Sequence, residues 1–293
     1  MSPLQVYRPT ARQLQRQRHL AKACDTLKLS GMVPVVRNTE MYVDDQLRYV
    51  HDLVLKAACT TWRCVLLRLY SKTRNFTFPT SIENFVTDLK ISDKYLPRLS
   101  TFSDDEQQFR LRNYFKFVFF REPLNRLVSA YQDKFGNRNN AFFERIYGVH
   151  IVKTYRRNAT SEALTSGRGV TFEEFIQYLV DQVKKRKALD FHWKPQHIVS
   201  QPCSVRYDYI GKFEIIHEDV NEVLQIIGGS GLVEFPSRSD SGYKKPIFGN
   251  KTLELFTRIP KGSAEILLQL YELDYKLLLN YEVPMFESLP DAK

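Results

Sequence analysis

The sequence predicts an α/β fold with a central parallel sheet and helices on both faces. Three observations carry that expectation. A strand, a tight loop and a helix follow one another twice, at residues 48–70 and again at 114–135. Further strand-like and helical patterns alternate after them, as a parallel sheet with crossover helices requires. Hydrophobic residues make up 43% of the 293-residue chain and charged residues 26%, enough apolar material to bury a core.

The elements read as follows. Residues 1–38 form a basic lead-in, with Arg8, Arg12, Arg16, Arg18 and Lys22 among Gln and Ala. That composition suits a surface helix or a flexible stem, and residues 39–293 then make one domain. "RYVHDLVL" at 48–55 alternates loosely and is rich in β-formers, so it reads as a strand. "KAACTT" is a turn of small residues, and Trp62, Val65, Leu66, Leu69 and Tyr70 then recur at helical spacing. A polar, Pro-containing stretch with weaker helix signals leads to "YFKFVFF", an apolar run suited to a buried parallel strand. Pro123 is placed for the first turn of the next helix, whose apolar face is Leu124, Leu127, Val128 and Tyr131. "TFEE" is a capping box that opens a helix over 171–187. A short strand in "YDYIGKFE", a helix from about His217 and a Gly/Ser-rich linker at 228–242 follow. One C-terminal helix then runs through "AEILLQLYELDYKLLL".

Charge and composition narrow the partners. A net charge of +10 favours polyanions: nucleic acid, acidic membranes, phosphorylated cofactors or acidic polysaccharides. No apolar run reaches a membrane-spanning length, and no secretory leader pattern opens the chain. Both features suggest a cytosolic protein. The glycosylation triplets at Asn75, Asn158 and Asn250 point instead to the secretory pathway. Cys24, Cys59, Cys64 and Cys203 permit up to two disulfides or remain buried thiols, and they lack metal-ligand spacing.

The two strand–loop–helix units carry the chemistry. Ligands of open α/β sheets bind beyond the carboxyl ends of the strands, where helix N-termini attract anions. In "LKAACTTW" the small Ala57 and Ala58 let an anion approach the backbone. Lys56 supplies charge, and Thr60 and Thr61 supply hydroxyls. The loop is either such an anion cradle or an ordinary turn; it is not the glycine-rich loop of nucleotide triphosphatases. In "FREPLNRLVSAYQDKF", Arg121, Arg126 and Ser129 could meet a phosphate, or serve as the solvated face of an amphipathic helix.

These two units resemble the 5'-phosphosulfate loop and the 3'-phosphate motif of Golgi carbohydrate sulfotransferases, in the branch of the chondroitin and dermatan 4-O-sulfotransferases. "LKAACTTWR" stands where that family has Pro-Lys-Val-Ala/Gly-Cys-Thr-Asn-Trp-Lys. "RRNATSEAL", "HWKPQ", "PCSVRYDYIGKFE" and "LYELDYKLLLNYEVP" extend the likeness over residues 40–286, in the family's order. The resemblance implies a P-loop-like sulfotransferase fold and 3'-phosphoadenosine-5'-phosphosulfate (PAPS) as sulfuryl donor. It assigns Leu55, Lys56, Ala57, Ala58, Cys59, Thr60 and Thr61 to the 5'-phosphosulfate. Arg121, Glu122, Pro123, Leu124, Asn125, Arg126, Leu127, Val128 and Ser129 form the 3'-phosphate motif, with Arg121 and Ser129 on the phosphate itself. Leu55 replaces the family's proline and Thr61 its asparagine, which puts the loop geometry in question. Ser200 stands where a second cysteine is frequent, which weakens a disulfide for Cys203.

Sulfuryl transfer is an in-line displacement that needs a base at the acceptor hydroxyl and positive charge at the leaving oxygen. Lys56 is the candidate for the charge and His192, in "FHWKPQH", for the base, with Trp193 beside it to stack on a sugar. Glu214 is the next candidate base. No metal is required. The acceptor implied is a hydroxyl of an acidic glycosaminoglycan, first the 4-O position of N-acetylgalactosamine in chondroitin, and no nucleic acid is expected. Dermatan, N-glycan N-acetylgalactosamine and the glucuronic acid of the natural-killer epitope are alternatives, as is an inactive glycan-binding homologue. Arg156, Arg157 and the run Lys184 to Lys187 could meet acidic polysaccharide but read as a solvated face. The family sits on the lumenal side of the Golgi membrane by an N-terminal anchor, which is not visible in this chain.

Overall fold

The short apolar runs form strands and the periodic segments form helices around them. The computed structural model describes residues 7–31, 33–36, 40–78, 82, 93–136, 140–236 and 250–284, excluding the side chains at 250 and 251. Its order is α1 (Ala11–Thr26), β1 (Met41–Asp44), β2 (Tyr49–Asp52), α2 (Cys59–Arg74), α3 (Asp104–Asn113), β3 (Phe115–Phe120) and α4 (Pro123–Lys134). Then come α5 (Val149–Tyr155), α6 (Ser161–Ser166), α7 (Phe172–Lys184), α8 (Gln196–Ser200), β4 (Tyr209–Lys212) and α9 (Ile216–Ile226). The chain continues through α10 (Asn250–Phe256), α11 (Lys261–Leu270) and α12 (Glu272–Leu277). Among the described residues no helix is long and apolar enough to cross a membrane.

The chain divides into two units. The first comprises residues 1–121, 196–244 and 276–280, and it holds the sheet, ordered β1-β2-β3-β4. β2, β3 and β4 are parallel, with His51 beside Phe117 and Val118 beside Ile210. β1 is antiparallel to β2, so the sheet is mixed where the sequence predicts a parallel one. The edge strand is a hairpin: the Asp44 carboxylate accepts the Gln46 and Leu47 N–H groups at 2.9 Å and fixes the turn. The predicted strand over 48–55 pairs only through Asp52; Leu53 to Ala58 leave the sheet as a loop.

Trp62 locks α2 onto this sheet. It is fully buried, with its ring 5.2 Å from Phe117 and 5.0 Å from Phe119 on β3. Val65, Leu66 and Leu69 continue the same face. That packing sets the N-terminus of α2 at the carboxyl end of β2.

The basic lead-in supplies a helix of this unit. Gln13 on α1 is fully buried and pairs like an additional strand: its side chain donates to Ile210 O (3.1 Å) and accepts from Ile210 N (3.0 Å). Arg16 reaches Ile210 O and buried Asp219, both at 2.7 Å. A disulfide joins Cys24 to Cys203, 179 positions apart, whereas Cys59 and Cys64 are free thiols. The Ser200 departure argued against a bond at Cys203; the partner lies in the lead-in instead, where spacing gives no hint of it.

The second unit comprises residues 122–195, 245–275 and 281–293. Its core is aromatic: Trp193, Phe175, Phe143 and Phe135 pack within 6.4 Å of one another in pairs. The capping box of α7 forms as predicted, with the Thr171 hydroxyl on Glu174 N and the Glu174 carboxylate on Thr171 N. The single predicted C-terminal helix is two. α11 ends at Leu270 and α12 starts at Glu272, with Tyr271 between them turned wholly inward. The linker at 228–242 lies partly outside the described residues.

Candidate functional site

In the first unit the loop between β2 and α2 has an unusual backbone. Lys56 and Ala58 both take left-handed conformations, with φ of 71° and 65°. For residues with a Cβ this costs about 1–2 kcal/mol each. Alternation of this kind is how a chain makes a concave nest of N–H groups for an anion. Ala58 is also the N-cap of α2 and offers no side-chain acceptor. Alanine at an N-cap costs about 1 kcal/mol against Ser, Thr or Asp. Ser103 caps α3 and Thr171 caps α7 with their side chains, whereas α9 at Ile215 and α11 at Pro260 share with α2 the lack of a side-chain cap. What sets the N-terminus of α2 apart is the left-handed backbone before it, joined to a cap without a side-chain acceptor, a combination that suits an external anion.

The sequence-assigned loop residues differ in burial, and the Ala57 N–H is bonded to Val54 O at 3.1 Å. Lys56, Ala58, Cys59, Thr60 and Thr61 are half-buried, Ala57 is buried, and Leu55 packs against the core. Arg121, at the end of β3, donates from Nη1 to Lys56 O at 3.0 Å, and its guanidinium lies 4.4 Å over the Phe213 ring. Its main chain is held separately: Gln196 accepts from Arg121 N (3.0 Å) and donates to Arg121 O (2.7 Å).

Behind the loop two ionisable residues on β2 are fully buried. Burial pushes the His51 imidazole down to about 3, so it is neutral and stacks on Phe117. Burial pushes the Asp52 carboxyl up to about 7, against the hydrogen bond from the Tyr207 hydroxyl. Tyr207 also bonds Ser200 O at 2.6 Å.

In the second unit, α4 sorts the 3'-phosphate stretch into separate tasks. The Glu122 carboxylate caps the helix, accepting Leu124 N (3.1 Å) and Asn125 N (2.6 Å), and it also accepts the Tyr275 hydroxyl. That helix end is therefore already satisfied by the protein's own anion. Pro123, Leu124, Leu127 and Val128 are buried and apolar. Asn125 accepts the Thr252 hydroxyl at 2.6 Å. Arg126, offered to phosphate by the sequence, is 1% exposed and donates to Phe191 O and Lys194 O, each at 2.8 Å. It braces the loop on both sides of His192. Ser129 is half-buried.

His192 sits in that loop beside Asp190. Nδ1 lies 2.7 Å from Asp190 Oδ1, which also accepts His192 N at 2.9 Å. The Tyr147 hydroxyl donates to Asp190 Oδ2 at 3.0 Å. Trp193 is 1% exposed inside the aromatic core, so it cannot stack on a sugar as the sequence suggested; Tyr271 donates to its carbonyl at 2.6 Å. Glu214 lies half-buried in a short turn after β4 of the first unit.

Sequence reasoning missed Asp190, Tyr147 and Gln196. Asp190 had a local signal: an Asp two residues before the histidine can accept the latter's N–H in an Asx turn. Tyr147 and Gln196 had none.

Of the remaining assignments, Asn75 and Asn158 are exposed, and the side chain of Asn250 lies outside the described residues. Arg156 is bound to Glu174 at 2.7 and 2.6 Å, whereas Arg157 and Lys184 to Lys187 are exposed.

Comparison with known proteins adds a family. The family model described as sulfotransferase family matches residues 39–282. Carbohydrate sulfotransferase 11 of Mus musculus is 36% identical over 250 residues, covering 85% of this chain and 69% of the relative. Carbohydrate sulfotransferase 14 of Danio rerio is 33% identical over 276 residues, covering 92% and 71%. Carbohydrate sulfotransferase 9 of Homo sapiens is 33% identical over 247 residues, covering 84% and 54%. No solved structure matches.

Proposed function

The chain belongs to the sulfotransferase family, and we propose that it transfers the sulfuryl group of PAPS to a sugar hydroxyl, the 4-O position of N-acetylgalactosamine in chondroitin. The observation that carries this reading is the loop of Lys56 to Thr61: two left-handed residues and an N-cap with no side-chain acceptor, kept at a cost in stability that an anionic ligand offsets.

The chemistry assigns one task to each group. The acceptor oxygen attacks sulfur as the bond from sulfur to the phosphate oxygen breaks. The acceptor's proton passes to His192, and the charge developing on the leaving oxygen is met by Lys56 and the first-turn N–H groups of α2. Arg121 and Ser129 are the ligands proposed for the 3'-phosphate. Binding and electrostatics carry most of the rate, as in phosphoryl transfer.

The acceptor is a proposal that rests on the relatives named carbohydrate sulfotransferase 11; those named 14 and 9 are nearly as similar and keep other glycans in view. Residence in the Golgi lumen, as an anchored glycoprotein, is likewise proposed. The Cys24–Cys203 bond and the exposed Asn75 and Asn158 support an oxidising, glycosylating compartment.

Transfer of radiolabelled sulfate from PAPS to a panel of desulfated glycosaminoglycans and N-glycans tests the reading. Labelled chondroitin is expected. Label on another glycan corrects the acceptor. No transfer to any acceptor, together with no binding of 3',5'-adenosine bisphosphate, sinks the enzyme reading in favour of a glycan-binding homologue.

A further inference from the structure

We propose that Asp190 and Tyr147 form a positioning pair that fixes the tautomer and orientation of His192. The inference rests on the reading of His192 as the base. Its grounds are geometric. One carboxylate oxygen of Asp190 takes both the His192 ring Nδ1 (2.7 Å) and the His192 main-chain N–H (2.9 Å), so ring and backbone are tied to one point. The other oxygen takes the Tyr147 hydroxyl at 3.0 Å, which stops the carboxylate from rotating. A ring that donates from Nδ1 has its basic lone pair on Nε2, the nitrogen that must accept the acceptor's proton. Once that proton arrives, the imidazolium faces a carboxylate 2.7 Å away, and its charge is stabilised where it forms.

The surroundings keep the pair in register. Tyr147 belongs to a π-helical turn, Glu144–Gly148, which advances the chain by one residue relative to an α-helix. That turn lies against Gly167: a Cβ on Gly148 would come within 2.2 Å of Gly167 O, and Gly167 itself has φ +69°. Both glycines are therefore needed for the approach. Phe143 meets the His192 ring edge-on at 5.2 Å, and Arg126 holds the carbonyls at 191 and 194. The titratable groups facing Asp190 are Tyr147 and, from α7, Tyr178. Burial and the Asp190 charge raise both phenols, so they remain protonated at neutral pH. Burial works to raise Asp190 as well, but its bonds from His192 and Tyr147 outweigh that and hold it below the usual carboxylate range. The ionised carboxylate is the state that can accept from all three donors.

The test uses the full chain with Asp190→Asn, Tyr147→Phe and His192→Asn. It measures turnover with PAPS and a glycan acceptor, affinity for 3',5'-adenosine bisphosphate, melting temperature and the pH dependence of turnover. Asp190→Asn is expected to lower kcat about 10²-fold, within the range a positioned base contributes. Nucleotide affinity should not change, and the acidic limb of the rate profile should move to lower pH, because the imidazolium has lost its carboxylate. Tyr147→Phe, which keeps the ring, is expected to lower kcat several-fold at unchanged melting temperature. Normal kcat and an unmoved profile in Asp190→Asn, beside an inactive His192→Asn, overturn the positioning pair and leave the base reading intact. If Asp190→Asn does not fold, Tyr147→Phe decides: unchanged kcat overturns the pair. Near-normal turnover in His192→Asn overturns the base reading, and this inference with it.

Discussion

Arg126 is where sequence and structure assign one side chain opposite tasks, and the two are separable by experiment. As a nucleotide ligand, its loss should weaken binding of 3',5'-adenosine bisphosphate and leave the fold alone. As the brace observed here, its loss should do the reverse. The guanidinium is 1% exposed and makes two hydrogen bonds of 2.8 Å, to Phe191 O and Lys194 O. A hydrogen bond to a charged group contributes about 1.5–3 kcal/mol, and at this burial solvent does not replace it. Arg126→Ala leaves two carbonyls without this donor and a void where the side chain stood. The expected loss is about 3–5 kcal/mol, the sum of two such bonds less some relaxation around the void. At roughly 2 °C per kcal/mol for a chain of this size, the melting temperature should fall by about 5–10 °C. Arg126→Lys should recover only part of this, because an ammonium lacks the planar fork that spans carbonyls three residues apart. Thermal unfolding and titration calorimetry on the same preparations give both numbers. An Arg126→Ala protein with unchanged melting temperature and tenfold weaker nucleotide binding would refute the brace.

Three further outcomes are expected. Arg121→Ala should weaken binding of 3',5'-adenosine bisphosphate by about tenfold or more, from the loss of a charge-assisted contact of roughly 1.5–3 kcal/mol, while the Gln196 bonds to the main chain keep it folded; unchanged affinity by calorimetry removes Arg121 from the nucleotide site. Cys24→Ser should destabilise the protein by about 2–5 kcal/mol, because the bond to Cys203 closes a long loop in the unfolded chain. Denaturant midpoints check this: reductant should lower the wild-type midpoint toward that of Cys24→Ser, and equal midpoints without reductant would show that the bond contributes nothing. Asp52 gives a pH prediction. Its folded pKa, raised to about 7, lies above its unfolded value, so its contribution is fully present below about pH 4 and is lost as pH rises through 7. Neutral buried His51 acts oppositely, losing stability as pH falls through about 6.5 toward 3, so the comparison must isolate Asp52. Wild type should gain on Asp52→Asn between pH 8 and pH 5 in urea titrations; a constant difference would mean that Asp52 does not titrate in that window.

Much of the fold was legible locally. "YFKFVFF" suited an interior strand, since its apolar residues face both ways, and it became β3. The Thr171 capping box and Pro123 at the start of α4 are signals whose physics is complete within four residues. The Lys56 loop was readable as a motif for the same reason, although its strain was not: left-handed φ at Lys56 and Ala58 contradicts local preference and accompanies a helix that Trp62 packs onto the sheet.

What the sequence by itself determined was the class of each short segment and the identity of the chemical groups. Lys56, Arg121 and His192 were all visible as an ammonium, a guanidinium and an imidazole. What only the tertiary structure decided was which partner each group meets. Arg126 went to two carbonyls rather than to solvent, Trp193 to the core, Gln13 to the edge of β4, Cys24 to Cys203 and Asp190 to His192 and Tyr147. The physical reason is range. Backbone propensity and apolar periodicity act over a few residues and are written in order along the chain. Hydrogen bonds, disulfides and ion pairs act over about 3 Å in space, between residues whose separation in sequence, 179 in the case of the disulfide, carries no record of it.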